Sequence, residues 1–92
     1  MRRKRSKLDI IEGVLDYLSR VGGEAPATRV ATANGLAYDR LVALLEELEE
    51  RGVVEVVREE GRRTVRITSD GYKLLKALRD LRRVIRDFGL EV

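Results

Sequence analysis

The 92 residues include no cysteine and no histidine. Without cysteine there is no disulfide framework and no thiolate metal site. Without histidine as well, nothing activates a nucleophile: Ser6, Ser19 and Ser69 all sit in capping or helical contexts, so an enzymatic role is not expected. The carboxylates spread along helix faces instead of clustering, and "EELEE" reads as a solvated face; neither a metal nor any other cofactor is expected. Long apolar runs are missing too. The basic start "MRRKRSKLDII" is interrupted by Asp9 and Glu12, so it lacks the continuous core of a signal peptide, and no stretch is long enough to cross a bilayer. A soluble, cytoplasmic chain with no membrane partner is the expectation. Glutamine is absent, asparagine occurs once, and the only methionine is the initiator, while 38% of residues are charged. That profile is expected where heat selects against labile side chains, which points to a thermophilic source.

What is present is one small domain's worth of chain, with its charge unevenly placed. Arg2, Arg3, Lys4, Arg5 and Lys7 carry +5 of a net +3, which leaves −2 for the rest. The basicity is local. Such a run is either a solubilising tail or an arm that lies along nucleic acid.

Ile11, Val14, Leu15 and Leu18 recur at helical spacing, with Ser6 and Asp9 in a capping-box arrangement and Gly22-Gly23 as a stop. They predict a first helix from Lys7 to Val21. "GGEAP" has room for a very short strand. A short second helix follows in "ATRVATANGL", ended by Asn34-Gly35, and "YDRLVALLEELEERG" gives a third, with Leu41, Leu44, Leu45 and Leu48 as its apolar stripe. "VVEVV" and "TVRI" make a two-stranded hairpin whose register around Val53, Val54, Val56 and Val57 is ambiguous. Thr68 or Ser69 then caps a last helix from about Asp70 to Phe88.

Two helices joined by a tight "NGL" turn, the second followed at once by a hairpin, are the parts of a helix-turn-helix with a wing. Through "KLDIIEGVL", "TRVATANGLAYDRLVALLEELEERGVVE" and "ITSDGYKLL" the chain resembles archaeal winged-helix transcriptional regulators and the small dimeric winged-helix chromatin-associated proteins of thermophilic archaea. The resemblance spans nearly the whole length. It implies an α+β, mainly α fold of order αααββα with at most one very short extra strand. It also implies a basic arm over 1–6, a winged helix-turn-helix domain over 7–69, and a dimerisation helix over 70–92. One departure is Ala37, where that family usually has a capping serine or threonine; losing the cap costs ~1 kcal/mol.

The partners so implied are double-stranded DNA, in a nucleoid-associated setting, and a second copy of the chain; the sequence points to no small-molecule ligand. Tyr38, Asp39 and Arg40 open helix three, whereas Glu46, Glu47, Glu49 and Glu50 crowd its far end, so only its amino-terminal end suits DNA. Asp39 is either an acceptor for cytosine or a residue favouring the helix start. Arg58, Arg62, Arg63 and Arg66 give the wing a cationic tip for backbone or minor groove. Glu59 and Glu60 leave open the alternative of local ion pairs, just as Arg40 could be merely solvated and Thr28 and Arg29 could be ordinary residues at the start of helix two instead of phosphate contacts. Arg2, Arg3, Lys4 and Arg5 complete the candidate DNA set. Leu74, Leu78, Leu81, Ile85 and Phe88 follow a four-three-four-three spacing, a heptad seam for dimerisation in either orientation, unless the helix packs wholly on its own core. The rival from another class is a winged helix used for protein assembly.

Overall fold

Ser6 and Asp9 form a reciprocal cap: the Asp9 amide donates to Ser6 Oγ at 3.1 Å and the Ser6 amide to Asp9 Oδ2 at 3.1 Å. From this cap a computed structural model of the chain, which describes residues 6–90, runs α1 (Lys7–Arg20), β1 (Glu24–Pro26), α2 (Ala27–Ala33), α3 (Tyr38–Glu50), β2 (Val54–Glu59), β3 (Arg62–Ile67) and α4 (Ser69–Asp87). The very short strand does form. It pairs with β3, Ala25 opposite Val65, so the sheet is three-stranded and antiparallel in the order β1-β3-β2. Pro26 is tolerated because β1 is an edge, where a missing amide donor is not felt.

The hairpin register follows from its tip. Glu60 and Gly61 have φ of +49° and +74°, as a two-residue type I′ turn requires. Glutamate accepts that region at a cost on the order of 1 kcal/mol. The turn sets Glu59 opposite Arg62 and Val56 opposite Val65. With a period of two, Val54, Val56, Val65 and Ile67 then point to the core, where Leu15, Leu18, Leu41, Leu45 and Leu75 are fully or almost fully buried. Each such leucine contributes about 1.5–3 kcal/mol over an exposed one.

The last helix begins where Thr68 ties three segments together. Its Oγ accepts from the Gly71 amide at 3.0 Å and donates to the Gly52 carbonyl at 2.6 Å, and its amide donates to the Val53 carbonyl at 3.2 Å. From there α4 lies antiparallel along α1, with Arg79 paired to Asp16 and Arg82 to both Glu12 and Asp9. The Ser6 amide and the Arg82 guanidinium hold the Asp9 carboxyl down at about 2. Burial works against the charged form of Asp16, yet hydrogen bonding to Arg79 and the charge of Arg20 lower its pKa on balance. Arg82 is correspondingly raised by Glu12 and Asp9. These are exposed pairs of modest energy. Their effect is to orient α4 on its own chain.

That orientation divides the heptad spacing. Leu78 is 7% exposed within a single chain, and Leu74 is half-buried against the core. Leu81, Val84, Phe88 and Leu90 are exposed, Phe88 to 75%, while Ile85 is half-buried. Of the five seam residues, Leu74 and Leu78 are therefore occupied by the monomer, because α4 crosses α1 at that level. The unsatisfied apolar surface begins one turn later.

Candidate nucleic-acid interface

The turn that aims α3 is built on a buried asparagine. Asn34 donates its side-chain amide to the Val30 carbonyl at 2.9 Å, Gly35 takes φ +64°, and the Leu36 amide returns to the Ala31 carbonyl at 2.9 Å. Ala37 then caps α3 without any side-chain hydrogen bond. This leaves the first amides of the helix open and its first turn exposed: Tyr38, Asp39 and Arg40 all face solvent. Arg40 has no hydrogen-bond or ion-pair partner among the described residues.

The four arginines of the hairpin do not act as one group. Arg58 and Arg63 are cross-strand partners on the face that continues the core, and like charges placed opposite each other repel. Each is drawn to a different partner. Arg58 donates to Glu49 Oε1 at 3.2 Å, whose other oxygen accepts from the Val56 amide at 3.2 Å. Arg63 donates to the Tyr38 hydroxyl at 3.2 Å, joining the hairpin to the first turn of α3. On the opposite face Arg66 is paired with Glu24 across β1 at 3.0 Å. Arg62, beside the tip, has no partner among the described residues, and neither Glu59 nor Glu60 pairs with Arg62 or Arg63 there.

Thr28 and Arg29 lie exposed in the first turn of α2, where the Thr28 carbonyl accepts from Thr32 Oγ at 3.0 Å. Arg29 lines a shallow surface with Tyr17, Thr32 and Ala33, apart from Arg40. Arg2, Arg3, Lys4 and Arg5 lie outside the described residues. The chain enters the described region beside α3, however: Lys7 Nζ is 2.5 Å from Glu47 Oε2, and Lys7 and Arg40 line one groove. Sequence reasoning missed Glu47 and Glu49. They sit in an acidic run that looks uniformly solvated, and only the positions of α1 and the hairpin reveal that each holds a cation.

A family model described as winged helix-turn-helix matches residues 4–86. The chain belongs to the winged helix-turn-helix family. Its wing is the β2–β3 hairpin and its recognition-type helix is α3. Among solved structures, this winged helix is similar to Sso10a-2, a DNA-binding protein from Sulfolobus solfataricus, with a TM-score of 0.79 at 20% identity over 91% of this chain and 85% of that one. It is also similar to a possible transcriptional regulatory protein (fragment 1–100) from Mycobacterium bovis, at 30% identity and a TM-score of 0.68 over 78% of this chain and 76% of that one. Among curated proteins, the phenylalanine–tRNA ligase alpha subunit of Metallosphaera sedula is 34% identical over 58 residues. Those residues are 63% of this winged-helix chain but only 12% of that relative's length.

Proposed function

We propose that this winged-helix protein binds double-stranded DNA as a homodimer and acts in transcription regulation, with the first turn of α3 in the major groove and the wing on the backbone or minor groove. The observation that carries the reading is the placement of unneutralised charge. Arg40 and Arg62 have no partner among the described residues, and Tyr38 and Arg63 join the elements that bear them. The opposite end of α3 is acidic, which favours an approach by the amino-terminal end alone. Tyr38, Asp39 and Arg40 are the exposed side chains of that end, Arg40 being suited to guanine. The described chain begins on the same side, since Lys7 lines the groove with Arg40, so the basic residues that precede it are attached near that face. The names of the similar DNA-binding and regulatory proteins agree with this reading.

Reading and holding separate by mutation. Arg40→Ala is expected to lose ~1 to 3 kcal/mol of affinity on a preferred site and much less on arbitrary duplex. Arg62→Ala should weaken both duplexes alike and make the logarithmic salt slope shallower by about 1. Arg63 is a poor choice for this test, because its loss also frees Tyr38. Quantitative binding on selected and random duplexes checks both; equal loss on both duplexes for Arg40→Ala would turn the reading from a site-specific regulator to a nonspecific chromatin protein.

The second copy is assigned to the exposed end of α4. Leu81 and Val84 on α4, which is about 28 Å long, Phe88 at its C-cap and Leu90 just beyond are exposed apolar side chains, with Ile85 half-buried beside them. Leu81→Asp should convert the dimer to a monomer in sedimentation while leaving the fold intact, because Leu81 is 50% exposed in the single chain. An unchanged mass would remove these side chains from the interface. Leu78 does not serve here, since its burial is already internal.

A second reading, assembly with another polypeptide, is favoured by the likeness to a short part of the phenylalanine–tRNA ligase subunit, where the corresponding segment is one portion of a much longer chain. Absence of DNA binding at low salt would select it.

A further inference from the structure

Between α1 and α3 runs a groove of about 360 Å³ whose floor is apolar, formed by Ile10, Leu36, Ala43 and Leu44. Three charged side chains stand at its rim, Lys7, Glu47 and Arg40. Lys7 and Glu47 neutralise each other, with the ammonium 2.5 and 2.6 Å from the two carboxylate oxygens. Arg40 is exposed and has no partner among the described residues. The rim therefore presents a net charge of one cation over a hydrocarbon surface, and the volume lies in the range of small-ligand sites. From this we infer that the groove is a binding site for a small apolar monocarboxylate. The hydrocarbon body covers Leu36, Ala43 and Leu44, and the carboxylate receives the two parallel N–H groups of Arg40, whose planar fork matches its geometry.

Charge selects this occupant over others. A dianion would need a second free cation, and Lys7 is already engaged. The basic segment 2–5 of the same chain carries the wrong sign to settle beside Arg40 and Lys7. A neutral apolar molecule would use the floor but leave the guanidinium unpaired.

Site and interface share Arg40, so occupancy and DNA reading compete for one side chain. The ligand site itself does not depend on the proposed DNA contact, and it is tested without DNA. Titration of the full chain with benzoate, followed by amide and methyl shifts, should saturate with a dissociation constant on the order of 1 mM and perturb Ile10, Leu36, Ala43 and Leu44. Benzamide, the neutral analogue, and Arg40→Gln with benzoate should each bind roughly tenfold more weakly. Ala43→Phe, which fills the groove at an exposed position, should abolish binding while retaining the wild-type melting curve; should that variant melt early, Arg40→Gln decides alone. Equal affinity for benzamide, unaltered binding by Arg40→Gln, or shifts centred on Leu81 and Phe88 would overturn the inference. Benzoate should also weaken wild-type binding to DNA. Saturable binding at the groove without that effect would uphold the site and instead remove Arg40 from the DNA interface.

Discussion

Gly71→Ala is expected to destabilise the fold by about 3 kcal/mol, toward the upper end of what overpacking costs. Helix propensity alone says the opposite, since alanine is favoured over glycine in a helix interior by about 1 kcal/mol. Space decides the sign. A Cβ at Gly71 would lie 2.2 Å from the Val53 carbonyl oxygen and 2.6 Å from Ile67 Cγ1. The oxygen belongs to backbone that also accepts the Thr68 amide at 3.2 Å, and Thr68 in turn holds the Gly71 amide and the Gly52 carbonyl. Moving Val53 away would disturb the seat of α4 on the turn after α3, with its buried neighbours Val54 and Leu75. For a domain of this size the melting temperature should fall by roughly 12 to 24 °C. A thermal melt equal to or above wild type would mean that the close approach relaxes freely and that propensity wins.

Affinity for arbitrary duplex should fall steeply with salt, with a logarithmic slope on the order of −4 to −8. The estimate depends on which cations are free to replace condensed counterions. Arg58, Arg66, Arg79 and Arg82 are committed to carboxylates within the chain and should contribute little. Arg29, Arg40 and Arg62 have no such partners among the described residues, and the arm adds Arg2, Arg3, Lys4 and Arg5. Between 50 and 200 mM salt, a slope of this size is a loss of roughly a few hundredfold to several ten-thousandfold. Deleting residues 1–5 should remove up to about half of the slope if the arm lies along the duplex. A flat response would reject DNA as the partner and favour protein assembly. An unchanged slope after the deletion would make the arm a solubilising tail.

Local features were legible in the sequence because they depend on neighbours in the chain. The Ser6–Asp9 box starts α1 at the expected residue, although the helix ends at Arg20, with Val21 as its cap. Asn34-Gly35 ends α2, Ala37 leaves α3 without a side-chain cap, and Thr68 caps α4. The apolar spacing of the helices located most of the core. Ile11, Leu44 and Leu74 are only partly buried, Leu44 because it borders the groove against α1.

Charge placement was much less legible. Four arginines close together in sequence look like one cationic patch, but strand alternation sends Arg58 and Arg63 to one face and Arg62 and Arg66 to the other. Only the docking of the hairpin against α3 and of β1 against β3 brings Glu49, Tyr38 and Glu24 within reach of three of them. The spacing of Leu74, Leu78, Leu81, Ile85 and Phe88 likewise shows an apolar stripe without showing what covers it.

The sequence by itself determined the helices, their caps, the hairpin, the absence of a thiol or imidazole chemistry and the excess of positive charge at the amino terminus, since all of these follow from composition or from contacts a few residues apart. Tertiary structure alone decided which arginines are neutralised, where the C-terminal stripe leaves the monomer's core, why residue 71 must be glycine, and that Lys7 and Arg40 share a groove. Those outcomes depend on side chains as far apart as Asp9 and Arg82, and a long-range approach is set by how whole elements pack, which no local pattern encodes.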